Sequence, residues 1–198
     1  MKKNITALTL LATLSGCATY DAMDHAMNMG VVKDQAAARA VAGVQTIHVV
    51  ATLTPSSPNQ DRERLNQWAA EQVCAGLGRS AFWRAMVDNQ VADPAPMCRT
   101  SPAAEGRSVR VELAQESGNA MGRALALGKD RAVIRFVDPQ TGKVLAEGDT
   151  PRTEQNSMVG WAVAAIEHAV FLGNQKKPGE PGYDDWKARA AKMSEALK

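Results

Sequence analysis

The sequence predicts an α+β protein with an antiparallel or mixed sheet of about five strands and two helices packed on it, in the order β-α-β-β-β-β-α. Apolar and polar residues alternate over residues 46–53, 109–114 and 132–137, which is the period of a half-buried strand. Apolar residues recur at helical spacing over residues 65–77 and 158–172. A signal and tether precede this domain, and a short C-terminal helix follows it.

The first sixteen residues have the order of an export signal, because two lysines are followed by an apolar run and two small residues. The four residues Leu14, Ser15, Gly16 and Cys17 resemble the lipobox of bacterial lipoproteins. The resemblance implies cleavage before Cys17, a diacylglycerol on its sulfur and an acyl chain on its new amine. The alternative is an ordinary secretory signal with a chance cysteine.

The charge of the predicted mature chain does not favour binding to nucleic acid or electrostatic binding to anionic lipid. Removal of residues 1–16 also removes Lys2 and Lys3, which lowers the 23 basic residues to 21, equal to the 21 acidic residues. A neutral balance gives no support for a nucleic-acid partner. A second membrane span is not expected, because Met158–Leu172 is shorter than the roughly 20 apolar residues that a spanning helix needs. No cofactor is indicated besides the covalent lipid.

Residues 17–43 form the predicted lipidated tether, with a short helix near Asp34 to Ala42. In the enterobacterial lipoproteins that this start resembles, Asp after the lipidated cysteine retains the protein in the inner membrane. Ala18 therefore implies an anchor in the outer membrane, with the protein on its periplasmic face.

Two further cysteines, Cys74 and Cys98, are expected to form a disulfide, because an exported chain meets an oxidising compartment. Such a bridge would close a loop of about 25 residues and stabilise the fold by roughly 3 kcal/mol. A metal site and a reactive thiol are the alternatives. The isolated positions of His25, His48 and His168 argue against a zinc site.

The first half of the α+β domain, residues 44–173, begins with a strand that places His48 on the face opposite its apolar side chains. Ser57 and Pro58 then predict the start of an amphipathic helix that ends near Gly78. Ser80–Asp88 is interpreted as a second strand with two apolar faces. The proline-rich residues 91–106 are interpreted as an excursion without regular structure, attached to the helix end through Cys98.

The second half predicts a meander of three antiparallel strands, whose last two are joined by the turn Asp138–Gly142. The glycine-rich connection between the first two strands differs from a phosphate-binding loop in the number of residues between its glycines. It is interpreted as a flexible loop. A nearly all-apolar helix follows from Asn156 or Ser157 to about Leu172, closed by Gly173. Residues 174–198 are a linker and a helical tail, whose apolar seam could dock on this domain or on another protein.

The runs Ser117–Arg123 and Ala132–Ala146 resemble a family of Gram-negative outer-membrane lipoproteins of unassigned function. Members combine a lipobox, a strand-helix-strand start and a meander with a "GN..xR" loop and a "D..TGkvLa" hairpin. The likeness covers residues 44–172 and carries no catalytic residues. The predicted order of elements is also similar to the small α+β domains of envelope-assembly lipoproteins, an analogy of fold alone.

The leading functional hypothesis is a lipid-anchored, periplasm-facing lipoprotein whose domain binds an envelope protein and is not an enzyme. Its membrane contact is the lipid on Cys17, and the sequence does not indicate an oligomeric state. One alternative is an enzyme acting on envelope material, for which His48, Asp88 and Glu167 are candidate residues without motif spacing. Another is a binder of peptidoglycan or a small ligand.

Overall fold

The computed structural model describes residues 31–32, 34–100, 106–116, 131–150 and 154–198. The signal and lipobox, including Leu14, Ser15, Gly16 and Cys17, lie outside these residues, as does the motif Ser117–Arg123 with the glycine-rich connection that follows it. The described chain is an α+β fold with a five-stranded mixed sheet, which confirms the predicted fold class.

The strands follow the order β2-β1-β3-β4-β5 across the sheet. Strand β1 runs parallel to both β2 and β3, while β3, β4 and β5 form the predicted antiparallel meander. The elements in chain order are α1 Gln35–Ala42, β1 Thr46–Thr52, α2 Arg62–Arg79, α3 Ala81–Asp88, β2 Met97–Arg99, β3 Ser108–Glu116, β4 Arg131–Val137, β5 Val144–Thr150, α4 Gln155–Asn174 and α5 Tyr183–Ala196.

The core lies between the helices and one face of the sheet. Ile47 of β1 is in register with Val109 of β3, and Val111 is in register with Phe136 of β4, so their side chains share one face. All of these side chains are buried in a single apolar cluster to which all five helices contribute. The opposite face, which is called the open face below, carries the polar side chains of the sheet together with Val133 and Val137, which are buried outside this cluster.

Helix α1 begins at the predicted position. The Asp34 carboxylate accepts hydrogen bonds from the backbone N–H groups of Ala36 and Ala37, at 3.1 and 3.3 Å. Its buried residues Ala38 and Val41 belong to the domain core. The helix assigned to the tether therefore packs as part of the folded domain.

The predicted strand Ser80–Asp88 is wrong, because these residues form helix α3. The Ser80 hydroxyl accepts a hydrogen bond from the Trp83 N–H at 3.2 Å and caps the helix. Residues four apart share a face in a helix and in a strand alike, so the spacing of Phe82 and Met86 did not distinguish the two. The second strand of the chain is instead the three-residue β2, inside the region predicted to lack regular structure.

The start and the end of α2 also differ from the prediction. Ser57 closes a separate turn by accepting the Gln60 N–H, and the helix begins after Asp61. The Asp61 carboxylate accepts from the N–H groups of Glu63 and Arg64, at 2.9 and 3.1 Å, because aspartate caps as well as serine does. The helix continues past Gly78 to Arg79. Its predicted apolar stripe faces the core, with Leu65, Ala69, Val73 and Leu77 buried and Trp68 half-buried.

The predicted C-terminal helix is present as α5 and docks on the domain. The Trp186 ring lies 6.0 Å from that of Phe171 in α4, which lies 5.8 Å from that of Phe82 in α3. Met193 is buried, and Arg189 donates a hydrogen bond to the Gln90 carbonyl at 3.2 Å. None of the helices in the described part of the chain is long and apolar enough to cross a membrane.

Candidate functional site

The structure does not bring the three candidate catalytic residues together. His48 lies on the open face of the sheet, whereas Glu167 belongs to α4 on the helical side. Asp88 is the last residue of α3, about 12 Å along that helix from the end that Glu167 contacts. Among the described residues, no group of three or more His, Cys, Asp and Glu side chains could hold a metal ion.

The His48 side chain is buried although it lies on the open face of the sheet. Only 4% of its surface is exposed, and its register partners are Arg99 of β2 and Arg110 of β3. This position is that of a cross-strand histidine, on β1 between its neighbours β2 and β3.

Glu167 and His168 are adjacent in sequence but contact different parts of the fold. The Ser80 hydroxyl and the Trp83 N–H face the Glu167 carboxylate, whose Oε1 is buried without a hydrogen-bond partner, and burial raises the pKa of this carboxyl above the usual range. His168 hydrogen-bonds to the Val32 backbone, and burial lowers its pKa. Burial thus favours the neutral form of both groups, and their partners place them in the packing of α4 against α3 and against the start of the described chain.

The open face carries a network of ion pairs across β3, β4 and β5. Glu116 accepts hydrogen bonds from Arg135 at 2.6 Å and from Arg131 at 2.9 Å. Arg131 also pairs with Asp149, and Arg135 with Glu147. The bonds from Arg135 and then Arg131 lower the pKa of the Glu116 carboxyl. The part of this face that β3, β4 and β5 form therefore has little free charge to offer a partner.

The predicted disulfide is present, with 2.01 Å between the sulfur atoms of Cys74 and Cys98. Cys74 lies in α2 and Cys98 in β2, at the edge of the sheet. Because β2 pairs with β1 over three residues, the bridge is a major attachment of this edge strand to the helices.

A shallow, mostly apolar depression with a volume of about 380 Å³ lies beside the disulfide, at the free edge of β2, and is called the pocket below. Its lining comes from the end of α2, from α3 and from β2 with the residue before it: Leu77, Gly78, Trp83, Pro96, Met97 and Arg99, together with the disulfide. None of its lining residues is acidic. Met97 is 56% exposed, more than any other large apolar side chain of the described residues.

The backbone of β2 leaves hydrogen-bonding groups pointing outward. The Met97 N–H donates to the Gln45 carbonyl at 2.9 Å and therefore faces β1. Because successive residues of a strand direct these groups to opposite sides, the N–H and C=O of Cys98 face away from the sheet. In the described chain β2 is the terminal strand, so no further strand pairs with this edge.

Sequence reasoning located Cys98 in this region but missed the pocket. The prolines around β2 led to the prediction that this region has no strand. Because α3 was also predicted to be a strand, Trp83 was not expected to lie near α2. The signal in the sequence was the expected pairing of Cys74 with Cys98, which requires residues 96–99 to lie against the end of the helix.

These features define an α+β domain with helices on one side of a mixed sheet, a charge-balanced open face and an apolar pocket at one edge. No protein-family model matches the chain, and neither a curated protein nor a solved structure matches it.

Proposed function

We propose that the chain is a lipid-anchored lipoprotein on the periplasmic face of the outer membrane, whose α+β domain binds an envelope protein and does not catalyse a reaction. The observation that carries the binding role is the pocket beside the free edge of β2, where Met97 is 56% exposed. Apolar surface concentrated in a concave site is typical of contact surfaces.

The anchor is supported by the order of residues around Cys17, and the position of Val31 limits how far the domain can lie from it. Val31 is buried against Gly148 of β5, where a Cβ would lie 2.7 Å from a Val31 methyl carbon. Fourteen residue steps separate Cys17 from Val31, so the lipid and the domain are at most about 50 Å apart. A partner on the membrane or near it is within that reach.

The proposed partner site lies at the other edge of the sheet from this entry point. Strands β2 and β5 are the two edges, four strand spacings or about 19 Å apart. The proposed partner site therefore lies on the side of the sheet away from Val31. The separation of His48, Asp88 and Glu167 gives the enzyme hypothesis no support from geometry.

The anchor is tested by mass spectrometry of the protein purified from native membranes. We expect the first residue to be Cys17, with a diacylglycerol on its sulfur and an acyl chain on its amine, and Cys17→Ser to release the protein from the membrane. A bare thiol with residues 1–16 still attached would refute the anchor.

The partner site is tested by placing a photo-crosslinking residue at Met97 in living cells. Val144, exposed at the opposite edge in β5, is the matched control position. We expect one reproducible crosslinked envelope protein from position 97, absent from position 144 and reduced by Cys17→Ser. Identical products from both positions would contradict a partner site at β2.

A further inference from the structure

We propose that the edge of β2 and its pocket bind an extended peptide of alternating apolar and acidic residues, which adds to the sheet as a sixth strand. This inference rests on the proposed partner-binding function and names the chemistry of the partner. Strand addition combines main-chain hydrogen bonds to a free edge with pockets for alternate side chains. Both parts are present at β2.

The backbone of the peptide would pair with Cys98, whose N–H and C=O point outward from β2. Because β2 has three residues, few main-chain bonds can form there. Specificity and much of the affinity must therefore come from the side chains of the peptide.

Those side chains would face two different environments. Cys98 shares the register of Ile47 and points toward the helices, whereas Met97 and Arg99 share the open face with His48. A peptide residue facing the helices would enter the apolar pocket near Leu77 and Trp83. Its neighbours in the peptide would lie on the open face, beside Arg99.

The charge around the pocket favours acidic neighbours. Arg99 is exposed and has no ion pair with a described residue, and the same holds for Arg79 and Arg84, which adjoin the lining residues Gly78 and Trp83. No acidic residue among the lining residues compensates them. An anionic lipid also combines apolar and acidic groups, but it would leave the outward backbone of Cys98 without a partner.

The test uses the full-length chain purified from membranes in detergent, with a fluorescent peptide of alternating valine and aspartate as probe. Anisotropy measures its affinity for the wild type, for Arg99→Glu and for the matched control Arg62→Glu. Arg62 begins α2 and lies about 25 Å along that helix from its last residue, Arg79. We expect Arg99→Glu to weaken binding about tenfold and Arg62→Glu by less than about twofold, since reversing one exposed charge replaces attraction by repulsion.

Three further measurements separate strand addition from simple charge attraction. A peptide of the same sequence with N-methylated amides keeps its charges but lacks the donors, and we expect it to bind at least about tenfold more weakly. Hydrogen exchange at the Cys98 amide should slow when the unmodified peptide binds. A peptide of alternating valine and lysine should bind Arg99→Glu more tightly than it binds the wild type.

Three results would overturn the inference. The first is no binding of the valine–aspartate peptide at about 1 mM, and the second is equal binding of its N-methylated form. The third is binding of short-chain phosphatidylglycerol at Met97 without binding of any peptide. The crosslinking at Met97 is independent of these probes. If it still captured one envelope protein, the proposed function would stand while strand addition failed.

Discussion

At the residue scale, Glu167 shows how an ionisable group can be structural. Its carboxylate faces the Ser80 hydroxyl and the Trp83 N–H at the start of α3, where a negative charge is favourable, while its Oε1 is buried without a hydrogen-bond partner. Burial opposes these interactions and is the larger effect, which leaves its pKa raised. A chemical role would require a second reacting group beside it, and the described neighbours supply a serine cap and a backbone amide.

The raised pKa predicts how Glu167→Gln changes stability with pH. The folded pKa lies above the unfolded value, so folding takes up a proton between these two values and the free energy of unfolding falls as pH rises through them. Glutamine keeps an acceptor for Ser80 and Trp83 but does not ionise. We expect Glu167→Gln to gain stability relative to the wild type as pH rises.

Thermal unfolding followed by circular dichroism from about pH 4 to about pH 8 checks this expectation. The difference in Tm between variant and wild type should move in favour of the variant across that range. Glu195→Gln, which changes an exposed carboxylate in α5, is the control and should leave the difference constant. Parallel Tm curves for Glu167→Gln and the wild type would show that the carboxylate is not penalised by burial.

At the element scale, the crossing of α1 and α4 depends on the absence of a side chain at Gly173. A Cβ there would lie 2.2 Å from the Ala38 carbonyl oxygen and 2.5 Å from the Ala42 Cβ. The sequence suggested that Gly173 ends the helix, but α4 continues to Asn174. The glycine therefore allows two helices to approach closely.

This close approach predicts opposite effects for two glycine substitutions in the same helix. Gly173→Ala should lower the free energy of unfolding by about 2 kcal/mol or more, because the backbone of α1 must move. Gly160→Ala, where a Cβ meets nothing within 4 Å, should raise it by up to about 1 kcal/mol through helix propensity. Urea unfolding measures both. A neutral Gly173→Ala would mean that the two helices separate easily.

The same scale shows what periodicity could predict. Strands β1, β3 and β4 were predicted from alternating residue types and β5 from the turn before it, although only β3 alternates in burial, since His48 of β1 and Val133 of β4 are buried as well. Helix α3 has eight residues, too few to separate the two periods, and was interpreted as a strand. Of the candidate site, the sequence indicated the disulfide. It did not indicate the pocket, because α2, α3 and β2 meet there only through tertiary packing.

At the scale of the whole molecule, the two edges of the sheet have different roles. The described chain enters beside β5, and the C-terminal α5 packs on α3 and α4, so both ends of the described chain are held by the core. The other edge, β2, is held by three residues of parallel pairing and by the disulfide. The pocket is therefore built on the part of the sheet that depends most on a covalent link.

This dependence predicts the effect of replacing both Cys74 and Cys98 by serine. The bridge spans a sequence separation of 24 residues, and a loop of that length restrains the unfolded chain by about 3 kcal/mol. We expect the urea midpoint to fall accordingly and the slope m to rise, because the unfolded state becomes less compact. Reduction of the wild type by dithiothreitol should reproduce both changes.

Hydrogen exchange distinguishes a global effect from one that is local to the edge. If the bridge mainly restrains the unfolded chain, amides throughout β1, β3 and β4 should exchange faster in proportion to the loss of stability. If it mainly holds the edge, the amides of Met97–Arg99 should lose protection while those of β3 and β4 keep theirs. Unchanged exchange in both regions, with an unchanged midpoint, would show that α3 and the pairing with β1 hold β2 without the covalent link.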